Sequence, residues 1–557
     1  MALSPPDPLI PANAGTQRVN QRLVGWLAIV LGLALAAPAA GSALTGYPQV
    51  VAPSAAAHAG DLGLRPCAFH SKEDGKNYRA DCGQLVVSED RRGARSRLIE
   101  LPLVRIRATG PNPAEPIFTF QGGPGASNII DFAIGGLLAR HDVVMVGYRG
   151  VDGGVNLDCP EVSDHIAAAK GPLMGPAALA SIRAGARLCA ARLLRAGVDL
   201  AGYSMPETVD DQELARRALG YGPIDLLGGS YGTRLELIYE WRYPASLRRV
   251  VMIGANPPGH FVWDPKLTDA KLDRYALLCA DDRYCRAQTT DLRASLRRVS
   301  ANMPTGWMGV PIDPDRVRFL SFFMLPESID PKSAPVPLSG PATIDMWLSA
   351  ASGDASGMAL LSALSHPVLP RLINNWGEFL AMGAGDYARL TPAQVDDLTP
   401  TDVIVGAPSR LFWEMARDWP ANADADAYSV MQPSAVETLV VAGTLDFTTP
   451  IETVRSELMP KLSHGSLVSL AEFGHTASFW GSQPAARDRL LATFFDKGQV
   501  DASLYVRQPP VFQVGNGLSA LAHRILLIAV FTAAVLIGAV WFVVRRLGRR
   551  RRIAEPG

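Results

Sequence analysis

The stretch Ile224-Asp225-Leu226-Leu227-Gly228-Gly229-Ser230-Tyr231-Gly232-Thr233 decides how this chain is read. A short apolar strand runs into Gly-x-Ser-x-Gly and then into a helical pattern through Leu235, Ile238 and Trp241. So tight a turn from strand to helix holds the serine in strained backbone, and only residues without bulk fit two positions before and after it. Gly228 and Gly232 meet that demand. The pentapeptide alone also describes an ordinary loop. The strand before it and the helix after it make Ser230 a candidate nucleophile.

A serine hydroxyl is a weak nucleophile until a base takes its proton, and the base works best when an acid fixes its tautomer. Both partners follow in the chain. Leu439-Val440-Val441-Ala442-Gly443 is a strand entering a loop with Asp446, and Leu467-Val468-Ser469-Leu470 is a strand followed by Phe473-Gly474-His475. Ser, Asp and His in that order, each after a strand, is the arrangement of the α/β-hydrolase fold. Glu437 and Asp424 are weaker acids for the role because neither follows a strand end, and His464 precedes its strand rather than following it. Acyl transfer also needs two N–H donors for the oxyanion. One comes from the residue after the serine, Tyr231; Gln121-Gly122-Gly123-Pro124-Gly125, directly after the strand Ile117 to Phe120, supplies the other from Gly123, with Gly122 beside it.

Further strands are expected at Leu98 to Ile106, Val143 to Val146 and Val250 to Ile253, with helical patterns at 178–194, 211–219, 454–462 and 485–495. Short continuous apolar runs alternating with helices predict a largely parallel central sheet flanked by helices. Between Ile253 and Leu439 the connection is far longer than a crossover needs. Its Pro-rich and Trp-rich stretches, with helical patterns around Leu360 and Leu380, predict an inserted, mostly helical cap. The expected organisation is a first core part over 67–258, the cap over 259–435 and a second core part over 436–505.

The ends differ in kind. Leu23 to Ala37 is apolar behind Arg18 and Arg22 and is followed by small residues, which reads as a secretory signal peptide within 1–43; an uncleaved N-terminal anchor is the rival reading. An Ala-, Pro- and Gly-rich linker over 44–66 is expected to follow. Ile525 to Val544 is twenty uncharged residues, long enough to span a bilayer as a helix, reached through a linker over 506–524. Six arginines lie in the tail 545–557, and the positive-inside rule puts that cluster in the cytoplasm and the folded part outside, periplasmic or at the cell surface. The whole chain is formally neutral, so the middle is mildly acidic once the basic ends are set apart, and no patch invites nucleic acid.

Cys67 and Cys82, Cys159 and Cys189, and Cys279 and Cys285 are near neighbours in sequence. Six thiols allow fifteen pairings, and sequence does not choose among them. Export favours disulfides, in local pairs. His partners or Cys-x-x-Cys spacing for a metal are missing, and no cofactor is expected.

Taken together, Gly-Gly-Pro-Gly, the segment Asp142 to Gly150, Gly-Gly-Ser-Tyr-Gly-Thr, Gly-Thr-Leu-Asp and Gly-His-Thr resemble the proline iminopeptidase and tripeptidyl aminopeptidase branch of the α/β hydrolases over roughly 65–505. The resemblance implies a Ser-Asp-His triad under a cap and release of residues from peptide N-termini. Exported members have similar local cysteine pairs. Gln121 and Gly147 depart from the family's usual residues. Acidic cap residues that bind a substrate's amine are not mapped by motif; Asp281, Asp282 and Glu327 are the acids considered. The expected substrate is a short peptide. A carboxylesterase uses the same machinery, and a non-catalytic envelope binding protein is the reading from a different class.

Overall fold

A computed structural model describes residues 53–553 except 73, 94–95, 131, 329–337 and 421–426, with side chains described only as far as residue 546. The expected signal or anchor within 1–43 lies outside the described residues, as do Asp424 and the end of the basic tail.

Nine strands form the main sheet: β1 (Leu62–His70), β2 (Asn77–Ser88), β3 (Leu98–Ile106), β4 (Ala114–Phe120), β5 (His141–Val146), β6 (Ile224–Gly229), β7 (Leu247–Ile253) and, after the small hairpin β8 (Gly306–Trp307) and β9 (Val310–Pro311), β10 (Glu437–Gly443) and β11 (Gly465–Leu470). The order is β1-β2-β3-β5-β4-β6-β7-β10-β11. From β5 to β11 every pairing is parallel, while β1, β2, β3 and β5 pair antiparallel. The central parallel strands are apolar where helices cover both faces, and β6 is buried at all six positions, while β11 at the sheet edge is only partly buried.

This is the α/β-hydrolase architecture, with one correction at its edge. β1 begins at Leu62, inside the stretch expected to be linker, and pairs along its whole length with β2. An edge strand facing solvent needs no apolar run, and most of β1 is exposed or half-exposed. All three local disulfides are present, and Cys67–Cys82 ties this outer pair.

Helices α1 (Met205–Ala218) and α2 (Tyr231–Arg242) flank the central strands. Between β7 and β10 the described residues add no strand to the main sheet and are largely helical, including α3 (Pro265–Asp281), α4 (Pro314–Met324), α5 (Gly340–Ala351), α6 (Ser356–Val368) and α7 (Trp376–Ala388). After β11 come α8 (Pro484–Lys497) and a long helix, α9 (Leu518–Ile553). Within α9, Leu518–Arg546 is long and apolar enough to cross a membrane.

The segment before α9 is not a free linker. Phe512 and Leu518 are buried, and Phe512 meets Tyr275 edge-on at 6.3 Å between ring centres. Arg149, in the segment that carries part of the resemblance, is fully buried; its guanidinium donates to both Asp211 oxygens at 2.7 Å and to backbone carbonyls of β2 and the residue after it. That arginine fastens strand ends together.

Candidate active site

Ser230 sits between the last residue of β6 and the first of α2, at φ 52° and ψ −123°. For a residue with a side chain this is strained backbone, held here by a hydrogen bond from its N–H to the Ile253 carbonyl at 2.9 Å. The flanking glycines answer to contacts. A Cβ on Gly232 would collide with the Phe120 carbonyl, and one on Gly228 with the Glu236 carboxyl.

The loop after β4 lies against this turn: a Cβ on Gly122 would come within 2.9 Å of the Gly229 oxygen and of the Ser230 Cβ. Gly123 has φ +62° and open space around its Cα. Asn128 braces the loop, its Oδ1 accepting from the Gln121 N–H at 2.8 Å. Gln121 donates to the Ile130 carbonyl at 2.7 Å. At Gly147 a side chain would strike Pro102 and Asp152, so no larger residue fits that position as packed. Tyr231 opens α2, where a backbone N–H has no carbonyl one turn earlier in its helix.

Asp446 follows β10 and is buried. Its Oδ1 accepts from the Thr448 and Thr449 N–H groups and from the Thr448 hydroxyl, each at 2.9 Å, and its Oδ2 from Thr449 Oγ1 at 2.5 Å and His475 Nδ1 at 2.8 Å. Burial alone would raise its pKa; the imidazole beside it and these donors hold it below the usual carboxylate value. For His475 burial works downward, but the charge and hydrogen bond of Asp446, with a smaller contribution from Glu327, raise its pKa above the ordinary value. With Nδ1 engaged by Asp446, Nε2 remains for proton transfer.

Ser230 and His475 flank the same corner. A Cβ on Gly254, the residue after β7, would lie 3.3 Å from His475 Cε1 and 2.9 Å from Thr449 Oγ1, while Ile253 receives the Ser230 N–H. Among the described residues Ser230 Oγ has no hydrogen bond to the imidazole. Glu437, by contrast, pairs with Arg249 at the other end of β10, and His464 lies before β11.

Three acids join from outside the motifs. Pro326 accepts the His475 N–H at 2.8 Å, and Gly474 packs so closely on that carbonyl that a Cβ would collide with it. This contact sets Glu327 beside the imidazole; burial raises its carboxyl pKa, opposed by His475. Asp281 and Asp282, considered for the same role, lie at the far end of α3, where Asp282 caps the next helix through the Cys285 N–H. Among the described residues neither shares a hydrogen bond or ion pair with Ser230, Asp446 or His475.

Glu378, on α7, is fully buried, accepts the Gly125 N–H, and stands 3.5 Å from the Tyr231 hydroxyl. Burial pushes its pKa up to about 8. Because Gly125 N–H is thus engaged, Gly123 is the loop's candidate oxyanion donor. Glu472, three residues before His475, has φ 61° and is buried between Arg274 of α3 and Arg507 of the segment leading to α9. The one sequence signal for Glu378 is an acid in the otherwise apolar run Trp376 to Leu380. Glu472 had none.

Comparison with known proteins agrees with this architecture. The α/β hydrolase fold model matches residues 115–278, and the TAP-like protein model matches 409–505. A tripeptidyl aminopeptidase of Streptomyces coelicolor is 26% identical over 281 residues, covering 46% of this chain and 51% of its own. The serine protease Hip1 of Mycobacterium bovis is 26% identical over 453 residues, covering 72% of this chain and 82% of its own. The chain thus spans about half the length of the tripeptidyl aminopeptidases it matches. By its strand order and these two matched segments, the chain has the α/β-hydrolase fold with a TAP-like second core segment, and it is similar to tripeptidyl aminopeptidases and to the serine protease Hip1.

Proposed function

We propose that the protein is a membrane-tethered serine hydrolase that works as an aminopeptidase on short peptides outside the cytoplasm. The observation that carries this reading is the Asp446–His475 hydrogen bond at 2.8 Å beside the strained turn of Ser230. Ser230 Oγ attacks the scissile carbonyl carbon while His475 Nε2 takes its proton. The negative charge that develops on the carbonyl oxygen meets the N–H groups of Gly123 and Tyr231. Asp446 stabilises the imidazolium, which then protonates the leaving amine; the acyl-enzyme forms, and water reverses the sequence to release the acid.

Glu327 favours peptide over simple ester. A carboxyl on the cap segment clamped to the histidine loop offers a partner for a substrate's N-terminal ammonium. The apolar helix Leu518–Arg546 with arginines after it supports the tether and its orientation.

Wild type and Ser230→Ala are compared on tripeptidyl amides, the same amides with the amine acetylated, and short acyl esters. Turnover of the free amides, lost with acetylation and in the variant, is the expected result. Turnover of esters alone would make the protein a carboxylesterase. Absence of all turnover, together with no labelling of Ser230 by a fluorophosphonate, would leave a binding protein.

A further inference from the structure

The small hairpin β8–β9 has no part in the site, and its tip has unusual chemistry. Met308 and Gly309 form a two-residue turn, both with positive φ, 47° and 84°. Such turns favour Asn, Asp or Gly at both positions. This one holds a methionine that is 72% exposed, next to Val310 at 38%. In water this arrangement combines backbone strain with exposed apolar surface.

Its position gives the arrangement a use. α6 fixes the direction. The start of α9 lies along the N-terminal end of α6: Ser519 carbonyl receives the Ser356 hydroxyl at 3.4 Å, and further along α9 His523 Nε2 bonds Asp354, just before α6, at 3.0 Å. α9 therefore runs antiparallel to α6 and leaves past its N-terminus. α4 runs parallel to α6, with the Asp313 N–H on Ser362 and Arg316 on Ser365. Stepping back along the chain from Asp313 to the hairpin thus moves toward the end where α9 departs. Trp307 arrives there, edge-on to His523 at 5.5 Å between ring centres. His523 is two residues before Ile525, about 3 Å along the helix axis from the start of the uncharged run.

We propose that the hairpin Gly306–Pro311 is a second contact with the bilayer: Met308 and Val310 enter the boundary between headgroups and acyl chains, with Trp307 at headgroup depth, where aromatic rings are favoured. The proposal rests on the reading of α9 as a membrane span. The occupant of this surface is lipid because the surface continues the one that α9 presents to the bilayer.

All six cysteines are in disulfides, so one introduced cysteine gives one reactive thiol. Three variants of the full chain, Met308→Cys, Ile528→Cys within the span and Val368→Cys at the opposite end of α6, are labelled with an environment-sensitive fluorophore. They are reconstituted in phosphatidylcholine vesicles with and without lipids spin-labelled near the headgroup and along the acyl chain. The expected result is quenching at 528 and 308, strongest for 308 with the shallow label, and bright emission at 368. Quenching at 528 alone would overturn the hairpin contact and leave the span standing. Equal quenching at 308 and 368 would also overturn it. No quenching at any position would remove the span and the hairpin contact together.

Discussion

The carboxyl of Glu378 accepts the backbone N–H of Gly125, so a helix of the insertion holds the loop that carries the candidate oxyanion donor Gly123. The loop's two bracing groups on the core side, Asn128 and Asp152, do not reach this N–H. Removing the glutamate frees one end of the loop and leaves Ser230 and His475 untouched. Glu378→Ala is expected to lower kcat by about tenfold or more with a smaller change in KM, read from steady-state kinetics on the best peptide amide. A change confined to KM would show that Glu378 does not position the loop.

The same residue has a signature in stability. Its pKa is about 8 in the folded chain against an ordinary value near 4.5. The folded state therefore binds the extra proton, and the stabilisation is fully present below about pH 4.5 and lost as pH rises through about 8. Relative to Glu378→Gln, wild type should lose stability steadily across that window in denaturant melts. Parallel curves would mean that the carboxyl does not titrate there.

In the proposed mechanism the controlling group is His475, whose pKa Asp446 holds above the ordinary 6.5 against the opposing effect of burial. The imidazolium cannot act as base, so kcat/KM should fall on acidification with a midpoint above 6.5. In Asp446→Asn the midpoint should move down and kcat drop by about 10⁴-fold, the loss associated with the wrong imidazole tautomer. A pH profile that is flat through this range in wild type counts against His475.

Glu327 should divide the two effects of a carboxylate near the site. Glu327→Gln is expected to raise KM for free-amine peptides about tenfold or more and to leave KM for acetylated esters unchanged, since only the former lose an ion pair. It should also shift the acid limb slightly down, because one negative neighbour of His475 is gone. Equal changes on both substrates would assign Glu327 to the histidine alone.

Gly474 tests the clamp between insertion and histidine loop. A Cβ there meets the Pro326 carbonyl, a backbone atom that cannot swing away. Gly474→Ala should cost about 1–3 kcal/mol in denaturant unfolding and lower kcat, whereas the same change at Gly481, with open space around it, should do neither.

What sequence disclosed here follows a physical line. Ser230 and Asp446 each stand just beyond a buried parallel strand, the most legible kind of element because it is a nearly unbroken apolar run, and His475 follows β11, a half-buried edge strand still marked by Leu467, Val468 and Leu470. The sheet and the order of its candidate residues come from that signal. β1 carries no such run because an exposed edge strand needs no apolar face, and β2, though largely buried between β1 and β3, places Asp81, Gly83 and Gln84 among its apolar residues. Glu378, Glu472 and the Pro326 contact were hidden for a different reason. Each acts by closing a distance across more than thirty residues of chain, and contacts of that range leave no periodicity to read.

Glu472 receives Arg274 from the insertion and Arg507 from the segment before α9, while Phe512 and Leu518 are buried against the body. If α9 spans a membrane as proposed, an enzyme so joined to it is mounted on a bracket and not on a leash. A form cut upstream of Arg507 would leave a buried carboxylate one cation short, three residues from the histidine.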